Sequence, residues 1–139
     1  MKKMITTVLA VILVTACSRN FEKFELFSAE SFAYSMDSGW ELNASVRAKG
    51  FDQEESNSKF TAKLSYSVDI QTPDGKLKKN VSSGIVDKTA PEKMTDLPIE
   101  IQINLDSAYI PGTYRINFYV KDEGTGNEAK SFSFFELTK

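Results

Sequence analysis

Two runs of strict alternation constrain this chain more than anything else in it. Trp40, Leu42, Ala44, Val46 and Ala48 alternate with Glu41, Asn43, Ser45, Arg47 and Lys49, and Phe60, Ala62, Leu64, Tyr66, Val68 and Ile70 alternate with Thr61, Lys63, Ser65, Ser67 and Asp69. A period of two sends successive side chains to opposite faces of an extended backbone, so each run predicts a strand with one buried face. The same pattern returns in Ile99, Ile101, Ile103 and Leu105, and again in Tyr114, Ile116, Phe118 and Val120. A last strand is predicted from Ala129 to Leu137. Phe132 and Phe134 share one face there, and the adjoining pair Phe134-Phe135 predicts a bulge or a change of sides. Near the start, Phe32, Tyr34 and Met36 predict a first strand over Ser31 to Met36, while Glu22 to Ala29 also fits a helical turn.

The segments between these runs read as turns. Thr72-Pro73-Asp74-Gly75 combines a proline that presets φ with a glycine that accepts positive φ, as a hairpin needs. The partner strand, from Lys76 to about Val86, is more polar and is placed at a sheet edge. Asp52 to Ser58 reads as an acidic loop, Asp87 to Asp96 as a loop broken by Pro91, and Asp122 to Glu128 as a hairpin loop with Gly124 and Gly126. About seven strands, regular turns and no convincing helix predict an antiparallel β-sandwich.

The stretch from Leu105 to Val120 resembles the E-to-F corner of immunoglobulin-like and fibronectin type III domains. Leu105 ends a strand, Pro111-Gly112-Thr113 turns, and Tyr114 opens a strand continued by Ile116, Phe118 and Val120. The resemblance implies an all-β, antiparallel immunoglobulin-like sandwich over residues 21–139. It also implies a tyrosine corner, in which the Tyr114 hydroxyl bonds backbone a few residues upstream. The chain departs from antibody domains in lacking an inter-sheet cysteine pair. Trp40 begins the second strand rather than lying in the third, and is expected in the core.

The first residues carry a different message. Met1-Lys2-Lys3 is a basic head, Met4 to Val14 is apolar but short for a bilayer span, and Thr15-Ala16 are small. That is the form of a secretory signal peptide. Val14-Thr15-Ala16-Cys17 resembles the bacterial lipobox, which implies removal of residues 1–16 and lipidation of Cys17, with Ser18 to Asn20 as a tether of roughly 10 Å. Several acyl chains on one residue give stable anchoring. Ser18 in place of Asp implies, by the sorting rule of that family, the outer membrane, with the side of the membrane left open.

Composition narrows the chemistry. Cys17 is the only cysteine and there is no histidine, which excludes disulfides within the chain, His-based triads and Cys-His dyads. Removal of Lys2 and Lys3 with the signal leaves 15 basic residues against 19 acidic, a net charge of −4 (17 − 2 − 19). A mildly acidic domain without a clustered basic face argues against a nucleic-acid partner. No later apolar run approaches the roughly 20 residues of a membrane span. No set of residues is singled out for catalysis, and the protein is expected not to be an enzyme.

Three groups of residues are candidates for binding. If the family topology holds, the loops after the second strand and before the last share a pole. This brings Asp52, Glu54 and Glu55 near Asp122, Glu123, Asn127 and Glu128, a set of oxygen donors suited to Ca²⁺ or simply to solvent. At the opposite pole Tyr109 and Ile110 are contact candidates, unless they pack over the end of the core. Tyr119 and Phe135 are read as exposed aromatics on a sheet face, or as part of a second packed layer. The expected function is an envelope lipoprotein held to the membrane by its lipid and serving as a non-catalytic protein-binding or accessory module for an envelope partner. A surface adhesin or glycan-binding domain and a calcium-dependent binding module are the alternatives.

Overall fold

The computed structural model describes residues 22–139; the signal segment, Cys17 and the Ser18 to Asn20 tether lie outside the described residues. Eight strands follow in order: β1 (Glu25–Met36), β2 (Gly39–Lys49), β3 (Glu54–Ser56), β4 (Lys59–Gln71), β5 (Leu77–Ala90), β6 (Asp96–Leu105), β7 (Gly112–Asp122) and β8 (Glu128–Leu137). Every pairing is antiparallel. A three-stranded sheet has the order β1-β2-β6. The larger sheet runs through β4, β7 and β8, with β5 along one edge of β4 and the short β3 extending the β7 side. This is the immunoglobulin-like sandwich, with β5 as the fourth long strand at the edge of the larger sheet.

The alternating rows do what their period requires. Leu42, Val46 and Ala48 of β2 and Ile99 of β6 are fully shielded from solvent, as are Leu64, Val68 and Ile70 of β4 and Ile116 of β7. Each Leu, Ile or Val side chain among them contributes roughly 1.5 to 3 kcal/mol on burial. With one cysteine in the whole chain, stability rests on this core. Trp40 belongs to it, and its indole Nε1 donates to the Thr138 carbonyl at 2.8 Å, tying down the chain after β8.

Four boundaries differ from the sequence reading. The first strand starts at Glu25, because Glu25 to Phe27 pair with Lys49 to Arg47 and a bulge with Ser28 at φ 52° re-aims the chain before Glu30. No helical turn forms there. Within the acidic loop, Glu54–Ser56 pair with Lys59–Thr61 through a two-residue turn, with Asn57 and Ser58 both at positive φ, the type I′ geometry that matches strand twist. β5 continues to Ala90, since its register with β4 holds as far as Phe60. Finally, β8 contains no bulge: Gly112 to Lys121 pair without a break with Leu137 to Glu128.

Two poles result. The chain enters at one, beside the β2–β4 segment and the β5–β6 and β7–β8 connections, and Phe24 is buried there. The β1–β2, β4–β5 and β6–β7 turns form the other, which we call distal. The seam between the sheets on one side is the approach of β1 to β8, where the buried Ser31 hydroxyl donates to Ser133 Oγ at 2.8 Å and lies 3.1 Å from the Phe134 carbonyl.

Candidate functional site

The acidic residues of the entry pole do come near one another, but not as a cation cage. Asp122 occupies the core-facing position after Val120 and is 1% exposed. Its carboxylate accepts the Asp52 backbone N–H at 2.8 Å, the Gly124 N–H at 3.0 Å and the Thr125 hydroxyl at 3.1 Å. The Asp122 N–H in turn donates to the Asn127 carbonyl at 2.8 Å. A carboxylate so surrounded by donors pins two loops together. Glu123 Oε1 accepts the Ser65 hydroxyl at 2.6 Å, and Glu54 and Glu55 stand exposed on β3, while Glu128 is exposed at the start of β8. No three acidic side chains are grouped to hold a metal ion among the described residues. The Ca²⁺ grouping is corrected accordingly: Asp122 is a structural acceptor.

At the distal pole, the Tyr114 hydroxyl donates to the Ile110 carbonyl at 2.7 Å, four residues upstream. Its ring stacks on Phe135 at 5.3 Å between centroids and tilts against Tyr109 at 6.0 Å. Tyr109 is partly buried against the core with the Lys78 ammonium 3.9 Å above its ring, and Ile110 is 58% exposed. Of the two proposed contact residues, Ile110 alone presents a broad free surface. Burial pushes the Tyr114 hydroxyl above its ordinary pKa, and ionisation would also forfeit the proton it donates to Ile110. A raised folded-state value stabilises the fold below the ordinary titration range and is lost as pH rises past it. Tyr114→Phe is therefore expected to cost about 1 kcal/mol near neutral pH. It should also lose the part of the alkaline destabilisation due to this group, as urea unfolding across the alkaline range would measure.

Phe135 is the clear correction among the aromatics. It is 3% exposed and part of the core, because the unbroken β8 register turns Ser133, Phe135 and Leu137 inward and Phe132 and Phe134 outward. Tyr119 lies on the outer face of the larger sheet, 38% exposed, flanked by Ser67 and Lys130 in register. The exposed aromatics that the sequence reading did not single out are Phe32 and Tyr34 on β1 and Phe132 and Phe134 on β8. Phe32, Tyr34 and Phe134 are 60%, 59% and 60% exposed. They belong to edge strands of different sheets that meet at the seam, and all three border one groove there. Phe132 and Phe134 meet edge to face at 5.6 Å, with the Arg115 guanidinium 3.8 Å over Phe132. The sequence puts Phe32, Tyr34 and Met36 on one face of β1; that this face points outward is fixed by the burial of Ser31 at the seam.

No protein-family model matches this chain. No curated protein matches it either. Among solved structures, it is similar to a family 123 glycoside hydrolase from Clostridium perfringens, whose structural analysis addresses glycolipid glycan hydrolysis. The similarity has 16% sequence identity and a TM-score of 0.48, and covers 78% of this chain and 22% of that one. The chain thus spans about a fifth of that enzyme.

Proposed function

We propose that this protein is an outer-membrane lipoprotein, anchored through Cys17, that binds another protein of the cell envelope without catalysing a reaction. The observation that carries this reading is the placement of exposed apolar surface. Of nine large hydrophobic residues exposed among the described residues, five lie towards the distal pole, Tyr34, Met36, Leu77, Ile110 and Phe134, and Phe32 and Phe132 adjoin them at mid-strand. Exposed apolar residues gathered in one region mark an interaction surface. The chain enters at the other pole, and the segment from Cys17 to Glu25 reaches at most about 28 Å. A lipid at Cys17 holds the entry pole near the bilayer and turns the aromatic surface away from it, raising its effective concentration for a neighbouring envelope protein.

The test places a photo-activated crosslinking residue at position 34 or position 88 of the full-length protein in intact cells, with Cys17→Ala as control. One envelope protein trapped from position 34, absent from position 88 and lost in the Cys17→Ala form, is the expected result. Adducts equal at both positions, or none from position 34 while the protein is present and folded, would overturn the reading. Because Phe32, Tyr34 and Phe134 are exposed, changing each to Ser is expected to alter stability in urea by less than about 0.5 kcal/mol. The adduct trapped from another distal position, such as 36, should nonetheless disappear.

A further inference from the structure

Along the seam, a groove of about 460 Å³ is lined by Phe32 and Tyr34 of β1, Thr113 of β7, and Phe134 and Glu136 of β8. Its β1 wall, Ser31 to Tyr34, spans about 10 Å, the length of three residues of extended chain. The floor is closed by the Ser31 bonds and by the buried Phe135. The walls are therefore aromatic, and nothing among the described residues covers them.

The charge on the β1 side of this groove has one sign. In the three-stranded sheet the cations are Arg47 and Lys49, both towards the entry pole, and they pair with Asp96 and Glu25. Glu30, Glu41 and Glu100 of the same outer face have no ion pair among the described residues. In register, Tyr34 adjoins Glu41, and Glu30 lies across Ser45 from Glu100. Glu136 stands exposed at the other wall. The cation on that side is Arg115, in register with Phe134; its guanidinium lies over Phe132 and donates from Nε to Asn117 Oδ1 at 2.8 Å. Aromatic rings flanked by unpaired carboxylates select against several occupants. A second copy meeting this face through its own would set carboxylate against carboxylate, and an anionic lipid surface or acidic polymer would be repelled in the same way.

Resting on the reading of this face as a binding surface, we propose that the groove takes an extended, Arg- or Lys-rich segment of the partner protein. A guanidinium laid on the faces of Tyr34 and Phe134 gains the attraction of a cation for a π system, and the carboxylates of Glu30, Glu41 and Glu136 accept its N–H donors. Arg suits both contacts at once, being planar, always charged and weakly hydrated. Alternate residues of the bound segment point into the groove, so a basic-apolar alternation is the sequence it reads.

The probe is an octapeptide alternating Arg and Val, titrated into the full-length protein in neutral detergent. A Glu-Val octapeptide and the neutral sugar chitohexaose are the comparisons. Saturable binding of the Arg-Val peptide alone is expected, weakening several-fold from about 0.05 to about 0.5 M salt. Tyr34→Ala should weaken it about tenfold, and Glu41→Gln by a smaller factor. Equal binding of the Glu-Val peptide, binding of chitohexaose instead, or Arg-Val binding unchanged by Tyr34→Ala would each overturn the proposal. If the peptide fails while the in-cell adduct at position 34 persists, the face binds a partner of other chemistry. If the adduct is missing too, the binding-face reading falls with it.

Discussion

Replacing Asp122 by Ala is expected to remove about 3 kcal/mol of stability, a large share of the roughly 5 to 15 kcal/mol that holds a domain folded. The carboxylate is 1% exposed and accepts from Asp52, Gly124 and Thr125. Truncation takes the acceptor from three partly buried bonds at the end of the core, and a donor that water does not reach then carries its desolvation cost. It also frees the β2–β4 segment from the β7–β8 loop, which this side chain joins across 70 residues of sequence. The melting temperature should fall by roughly 10 to 20 °C. Asp122→Asn keeps the shape and one acceptor oxygen, so about half of the loss is expected. Urea unfolding of the three proteins decides the matter: an Ala variant within 1 kcal/mol of the parent would mean that water replaces the carboxylate without difficulty. A parent melting temperature that rises with added Ca²⁺ and falls with chelator would restore the metal reading of this pole.

Gly39→Ala should be at least as damaging, at about 4 kcal/mol. Gly39 has φ +100°, and a Cβ built on it falls 2.0 Å from the Leu105 carbonyl oxygen and 3.0 Å from backbone atoms of Asp106. No side chain can swing aside to relieve the clash, because the obstacle is the backbone of β6. The β1–β2 hairpin would have to lift away from β6, breaking the Trp40–Leu105 pairing beneath it. Gly75→Ala supplies the comparison. Its φ is +85° but nothing lies within 4 Å of the added Cβ, so the cost there is backbone strain alone, about 1 kcal/mol. A Gly39→Ala loss no greater than that of Gly75→Ala would show that the hairpin relaxes freely.

How much of this was legible beforehand can be argued residue by residue. The rows of β2, β4, β6 and β7 were readable because each has one solvated face, and period two has no competing helical interpretation over such lengths. Tyr114 was legible through its place after Pro111-Gly112-Thr113. Asp122 continues the inward parity of Tyr114 to Val120, yet its charge and the glycines that follow read as a loop. A charge at a core position is assigned to solvent until the donors that surround it are known, and two of them come from the loop's own fold. The hairpin of β3 was missed because Asn57-Ser58 is a weaker type I′ signal than Asn-Gly. Phe135 was misplaced for a related reason: with three phenylalanines within four residues, hydrophobicity alone gives no parity. Only the register with β7 turns Phe135 inward.

By itself the sequence determined the all-β class, the number and order of the long strands, and the inward rows, since alternation is a property of a strand taken alone. The lone cysteine and the absence of histidine likewise bounded the chemistry without reference to any contact. Tertiary structure decided which edges meet. That Phe32 and Tyr34 share a surface with Phe134, about a hundred residues later, depends on β1 and β8 being the edges of opposite sheets at one seam. That Asp122 holds Asp52 depends on two loops converging at one pole. Both are relations between strands distant in sequence, and strand periodicity carries no information about them, because it records the face of a strand and not its neighbour.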